Sequence, residues 1–126
     1  MIGSLRTVVL DCPAPSSLAE FYAGLLGGEI NTRESDDDWV VLDEPSGMRL
    51  AFQTAPQHRP PEFPDPRGSQ QFHLDVRVDD PDAAEREALA LGATRIQGVG
   101  DEVDEKFRVF RDPAGHTFCL VWGVAD

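Results

Sequence analysis

Glu44-Pro45-Ser46-Gly47, at residues 44–47, comes back as Asp112-Pro113-Ala114-Gly115, at residues 112–115. Each quartet reads as a tight turn, because proline presets φ for the second turn position and glycine takes the return. Each also sits between two stretches suited to a pleated surface: Trp39 to Leu42 and Met48 to Thr54 in one case, Phe107 to Phe110 and Thr117 to Trp122 in the other. Two hairpins of the same design, 68 positions apart, point to a duplicated unit.

The order of elements upstream of each hairpin is the same. In the first half, Arg6 to Asp11 carries Val8, Val9 and Leu10 and reads as a strand that Cys12-Pro13-Ala14-Pro15 stops. Ser17-Leu18-Ala19-Glu20 fits a capping box, and Leu18, Phe21, Tyr22 and Leu25 then recur at helical spacing until Gly27-Gly28. A short strand from Glu29 to Arg33 follows. In the second half, Phe72 to Val78 alternates as a strand, and Asp80-Pro81 opens a helix with an N-cap carboxylate and an N1 proline. Ala84, Ala88 and Leu91 line that helix, Gly92 ends it, and Thr94 to Gln97 forms the next strand. Thr7 and His73 lie 66 positions apart, Gly27 and Gly92 lie 65 apart. The sequence therefore predicts an α+β fold of two tandem βαβββ modules, residues 1–54 and 70–126, within one domain spanning 1–126.

Residues 55–69 join the modules, with prolines at 60, 61, 64 and 66. No helix passes through these, and a central strand is excluded because proline gives no N–H to the ladder. A connector of this length is either a semi-rigid spacer or a lid or binding loop.

The formal net charge is −12, with acidic clusters at Glu34 to Asp38, Asp79 to Glu87 and Asp101 to Glu105. Such a surface repels polyanions, so nucleic acid is excluded as a partner. No run of about 18 apolar residues suits a membrane span, and the N-terminus lacks the basic-then-apolar layout of a leader. The expectation is a soluble, cytoplasmic protein with no membrane partner. Cys12 and Cys119 are far apart and outside any C-x-x-C spacing, so both read as free thiols.

The helix ending Phe21-Tyr22-x-x-Leu25-Leu26-Gly27, the run His73-Leu74-Asp75-Val76 and the turn Asp112-Pro113-x-Gly115-His116, in this order, resemble the glyoxalase/bleomycin-resistance/dioxygenase, or vicinal oxygen chelate, superfamily. The resemblance covers nearly the whole chain and looks closest to glyoxalase-like proteins. It implies a curved mixed sheet around a cavity, a homodimer, and, in metal-dependent members, a divalent ion held by one residue from each of four strands. Carried over, those places fall on Thr7, Arg49, His73 and Cys119, and a shifted register exchanges Arg49 for Ala51. Only His73 is a usual ligand of a hard divalent ion. The expected cofactor is therefore none, with His73 the ligand if any metal binds.

Strand parity places Thr7, Val9 and Asp11 on one face, and likewise His73, Asp75 and Arg77; Arg49, Ala51 and Gln53; Thr117, Cys119 and Val121. Thr7, Asp11, Trp39, Arg49, Gln53, His73, Asp75 and Cys119 are the candidate ligand-binding residues. Arg49 either grips an anionic group or forms a salt bridge, with Asp11 or Asp75 as its candidate partners. His73 is either the general base of a catalytic site or a hydrogen-bonded histidine of the sheet interior. Cys119 is either a nucleophile or a small core residue. His58 and His116 read as solvated, and Trp39, Phe52, Phe63 and Trp122 as rings able to stack a planar ligand or fill a core. Two function classes follow: a protein that binds or sequesters a small, partly aromatic or anionic molecule, or a lyase, isomerase or dioxygenase that uses His73 as metal ligand or base.

Overall fold

The computed structural model describes residues 1–124, so the last two positions of the expected second module lie outside the described residues. The chain divides into two compact units, Met1–His58 and Arg59–Asp126. The first holds β1 (Val8–Cys12), α1 (Pro15–Leu26), β2 (Glu29–Ile30), a 3₁₀ turn (Thr32–Glu34), β3 (Trp39–Asp43) and β4 (Arg49–Thr54). The second holds β5 (Leu74–Arg77), α2 (Pro81–Leu91), β6 (Thr94–Arg95), β7 (Phe107–Arg111) and β8 (Thr117–Val121). Each is a βαβββ module with a mixed four-stranded sheet, in order β1-β4-β3-β2 and β5-β8-β7-β6. In both, the first strand runs parallel to the last and the remaining pairs are antiparallel. Of the 59–69 stretch of the connector, all belongs to the second unit.

The duplicated turns share a device that proline and glycine alone do not reveal. The Glu44 carboxylate accepts from the backbone N–H of Ser46 (3.1 Å) and of Met48 (2.9 Å). The Asp112 carboxylate accepts from the N–H of Ala114 (2.8 Å) and of His116 (3.0 Å). The first residue of each quartet thus holds the hairpin closed from inside, on top of the backbone bonds Gly47 N–H to Glu44 O and Gly115 N–H to Asp112 O. Burial pushes the Glu44 pKa up, but the bonds from Ser46 and Met48 outweigh it and leave the value lowered.

These turns set the register. Asp43 stands opposite Arg49, Val41 opposite Ala51 and Trp39 opposite Gln53; Arg111 stands opposite Thr117 and Val109 opposite Cys119. In the first unit Tyr22 of α1 stacks on Phe52 at 5.6 Å, so Phe52 and Leu50 face the helix and Arg49, Ala51 and Gln53 face away from it. Tyr22, Phe52, Leu42 and Leu50 are fully buried. In the second unit Arg108 reaches Pro81 O and Asp82 at the start of α2, which puts Arg108, Phe110 and their partners Leu120 and Phe118 on the helix side. Cys119 and Thr117 face the other way.

Several expectations change. The α1 helix begins at Pro15, its N-cap Ala14 makes no side-chain bond, and the capping box at Ser17 does not form. Proline's fixed φ and missing N–H suit the first helical position, which leaves Ser17 inside the first turn. Gly27 serves the helix end, whereas Gly28 serves packing: at φ +93° a Cβ there would lie 2.3 Å from the Asp43 carbonyl oxygen. The strand expected over residues 29–33 stops at Ile30, because Asn31 caps the 3₁₀ turn through the Glu34 N–H. The strand expected over 94–97 is two residues long. On α2 only Ala88 is buried, and Leu91 is 41% exposed. Ion pairs hold that helix where apolar burial was expected: Arg108 with Asp82 at 2.9 Å, and Arg95 with Glu85. Among the described residues no helix is long and apolar enough to cross a membrane.

The two helix starts yield a paired prediction. At α2 the Asp80 carboxylate accepts from the N–H groups of Asp82 and Ala83, both at 3.1 Å. Asp80→Ala should lower stability by about 1 kcal/mol in urea unfolding, while Ser17→Ala should change it by less than about 0.5 kcal/mol.

Candidate functional site

The candidate residues lie on the sheet faces turned away from the helices. In the first unit they form two rows at opposite ends of the strands. Asp11, Gln53 and Trp39 stand side by side on β1, β4 and β3. Four residues along β4, roughly 13 Å away, Arg49 and Thr7 share the wall of an open cleft of about 270 Å³ with Arg6, Ser46 and Met48. Trp39 is half-buried, and Asp11 and Gln53 are exposed.

Arg49 is already paired. Its guanidinium meets Glu34 at 2.8 Å and Asp43 at 3.1 Å, and the bond it donates to Glu34, with that to Asp43, raises its pKa against the effect of burial. Asn31 donates to both carboxylates, at 2.9 and 3.0 Å. Of the two readings of Arg49, the salt bridge is therefore the observed one, but its partners are neither Asp11 nor Asp75. Glu34 reaches it from the 3₁₀ turn, an element the sequence did not announce.

In the second unit His73, Asp75 and Cys119 come together, with one donor atom from each within 4.8 Å of the others. His73 immediately precedes β5, Asp75 stands opposite Cys119 across the parallel β5–β8 pair, and the His73 Nε2 lies 3.3 Å from Asp75 Oδ1. Cys119 is 4% exposed. Burial, followed by the Asp75 carboxylate, pushes its thiol pKa up to about 12. The thiol is protonated at physiological pH, which removes Cys119 as a spontaneous nucleophile. Its proton instead makes it a weak donor toward Asp75.

Three residues outside the candidate list belong to the same surroundings. Thr117, two residues before Cys119 and on the same face, is 2% exposed, and its hydroxyl is buried with no hydrogen-bond partner among the described residues. Arg111 stands opposite Thr117 on β7 and is exposed. Phe63, from the connector, places its ring 5.6 Å from the His73 ring, tilted by 60°. Parity alone pointed to Thr117; nothing in the local sequence marks Phe63 as a neighbour of His73.

Register also relates the two halves. The shared offset of 68 makes Ala51 the counterpart of Cys119 and Thr117 the counterpart of Arg49. With Ala51 in place of Arg49, the four positions that the resemblance implies become Thr7, Ala51, His73 and Cys119: a hydroxyl, a methyl, an imidazole and a protonated thiol. That set does not fit a hard divalent ion. The other aromatic candidates serve the helix sides. Phe52 is core, and Trp122 lies under Arg108 at 5.3 Å. His58 and His116, expected to be solvated, are half-buried.

A family model described as a glyoxalase-like domain matches residues 7–121. No curated protein matches the sequence. Solved structures of similar fold include a glyoxalase/bleomycin resistance protein/dioxygenase family enzyme from Burkholderia phytofirmans PsJN, with a TM-score of 0.74, 17% identity, and coverage of 97% of this chain and 100% of that one. The fosfomycin resistance protein FosX from Listeria monocytogenes gives a TM-score of 0.73 at 16% identity, covering 100% and 95%. The bleomycin-binding protein from Streptomyces verticillus, solved with copper(II)-bleomycin, gives 0.59 at 20% identity, covering 98% and 100%. At these identities the likeness is one of fold.

The thiol yields a pH prediction. Its pKa is about 12 in the folded chain against an ordinary 9.0, so between these values the unfolded chain loses a proton that the folded chain keeps. The stability Cys119 contributes is complete below pH 9 and falls as pH rises through that window. Urea unfolding between pH 8 and 10.5 should show a steeper alkaline loss for the native chain than for Cys119→Ala.

Proposed function

Because the chain belongs to the glyoxalase-like domain family, we propose that it binds or sequesters a small molecule, and does so without a metal ion. The observation that carries this reading is the composition of the second unit's face away from α2. There an imidazole, a carboxylate, a protonated thiol and a buried hydroxyl with no partner lie close together. These groups offer donors and acceptors to a polar ligand. The Phe63 ring beside His73 supports a partly aromatic ligand, and the exposed Arg111 supports an anionic group on it. Arg49, held by Glu34 and Asp43, is not assigned that part. Bleomycin binding and fosfomycin resistance, named for two proteins of similar fold, set the first compounds to try. The protein is read as a cytoplasmic homodimer, the dimer burying an edge strand such as β1 or β5.

A thermal-shift screen of bleomycin, fosfomycin and planar aromatic carboxylic acids tests the reading. A ligand at a hundred times its Kd stabilises the fold by about 2.7 kcal/mol, which raises Tm by several degrees in a chain of this size. The expected result is such a shift from at least one anionic aromatic compound, lost in Arg111→Ala. No shift from any of them would overturn the reading.

One observation favours a second reading, an enzyme that uses His73 as a metal ligand or general base. Donors on a tetrahedral zinc ion lie about 3.3 Å apart, and His73 Nε2 and Asp75 Oδ1 are 3.3 Å apart before any ion is added. With the Cys119 sulfur, the second unit offers a nitrogen, an oxygen and a sulfur, which suits zinc better than the hard ions. Binding would have to expel the thiol proton. Cobalt(II) titration separates the readings: the second expects one equivalent bound, with a thiolate-to-cobalt charge-transfer band that disappears in Cys119→Ser and His73→Ala. No band in the native chain leaves the metal-free reading standing.

A further inference from the structure

The connector between the modules is built as a closed loop seated on the second unit. Glu62 N–H bonds to Ser69 O at 3.2 Å and joins the loop's ends. Inside it, Gly68 N–H bonds to Asp65 O at 3.1 Å, Arg67 N–H to Asp65 Oδ1 at 3.0 Å and Asp65 N–H to Gln70 Oε1 at 3.1 Å. A surface loop whose ends meet and whose polar groups satisfy one another moves as one body. Among the described residues, no backbone hydrogen bond ties 62–70 to β5, β7 or β8.

Two contacts seat it. Phe63 lies against His73, the first residue of the His73, Asp75 and Cys119 group. Pro60 rests on Gly115, where a Cβ would come within 2.6 Å of Pro60 Cβ, so the glycine of the second hairpin turn also makes room for the loop. At the far end Gln71 holds φ at +64°, the left-handed region that side chains other than glycine seldom take. The loop therefore joins the sheet through a sparsely populated backbone state two residues before His73. Rigid interior, side-chain seating and a distinct joint are the parts of a lid.

We propose that residues 60–70 form a lid over the His73 end of the second unit's face turned away from α2, and that Phe63 occupies, in the closed state, the place on His73 that a planar part of the ligand takes when the lid opens. This rests on the binding reading given above and adds to it a gate and a contact residue. It also gives the unpartnered Thr117 hydroxyl a role, since that group would gain its hydrogen bond only once a ligand enters.

The test needs no ligand, so it fails or succeeds independently of the screen. Iodoacetamide labelling, read for each cysteine by mass spectrometry, follows access to Cys119, with Cys12 on the α1 side of the first unit as internal control. In Phe63→Ala, Cys119 should label about tenfold faster while Cys12 keeps its rate. An unchanged Cys119 rate, or an equal rise at both cysteines, would overturn the lid. Hydrogen exchange on the native chain supplies a second measurement. The amides of 62–70 should exchange together and well ahead of β5 and β8, and exchange in step with β8 would count equally against it.

Discussion

Each half of this chain depends on a carboxylate at the first position of a four-residue turn. Glu44 and Asp112 each accept two backbone N–H groups that the turn would otherwise leave without partners. Leaving such a group unsatisfied costs about 1–3 kcal/mol where water cannot reach it, and Asp112 is buried. The bonds also fix where the hairpin reverses, and a slip by one residue would turn every side chain of β4 or β8 to the opposite face. That Phe52 and Phe118 reach the helix sides while Ala51 and Cys119 do not follows from where these two turns close.

From the same scaffold the two halves have built different electrostatics. In the first, the residues at the start of β4 form a closed ion cluster, Arg49 with Glu34 and Asp43, steadied by Asn31. Its charges are spent on one another. In the second, the counterpart of Asp43 is Arg111 and the counterpart of Arg49 is the uncharged Thr117, so among the described residues that pair has no equivalent at the start of β8. Polarity there is left in groups that satisfy each other only in part: an imidazole beside a carboxylate, a thiol kept protonated by that carboxylate and by burial, and a hydroxyl with no partner.

Much of this was legible in the sequence, because the signals are local. Proline and glycine marked both turns, Asp80-Pro81 marked the start of α2, and parity grouped His73 with Asp75 and Thr117 with Cys119. The misses came from what local pattern does not carry. Ser17 satisfied the capping-box spacing, yet Pro15 took the first helical position. Ala84 and Leu91 have helical periodicity on α2, but the helix is fastened by Arg95 and Arg108, which come from strands 10 to 27 residues away in the chain. Arg49 does form a salt bridge across the sheet, but to Asp43 instead of Asp11 or Asp75, and its second partner, Glu34, sits on a 3₁₀ turn that short, polar sequence does not announce. The place of Phe63 follows from how a proline-rich segment folds back, and no periodicity reports on that.

The Arg49 cluster also bears on how such a protein can change. Replacing Arg49 by a neutral residue or by a metal ligand would leave Glu34 with Arg6 alone and take the guanidinium from Asp43, with Asn31 still donating to both. A replacement of Arg49 that keeps this end of the sheet neutralised must therefore alter Glu34 or Asp43 as well. In the second module the uncharged Thr117 is not locked in this way, whereas His73 and Cys119 are both tied to Asp75. Substitution at this end of the first module is accordingly coupled across Arg49, Glu34 and Asp43, so that its composition changes as a set.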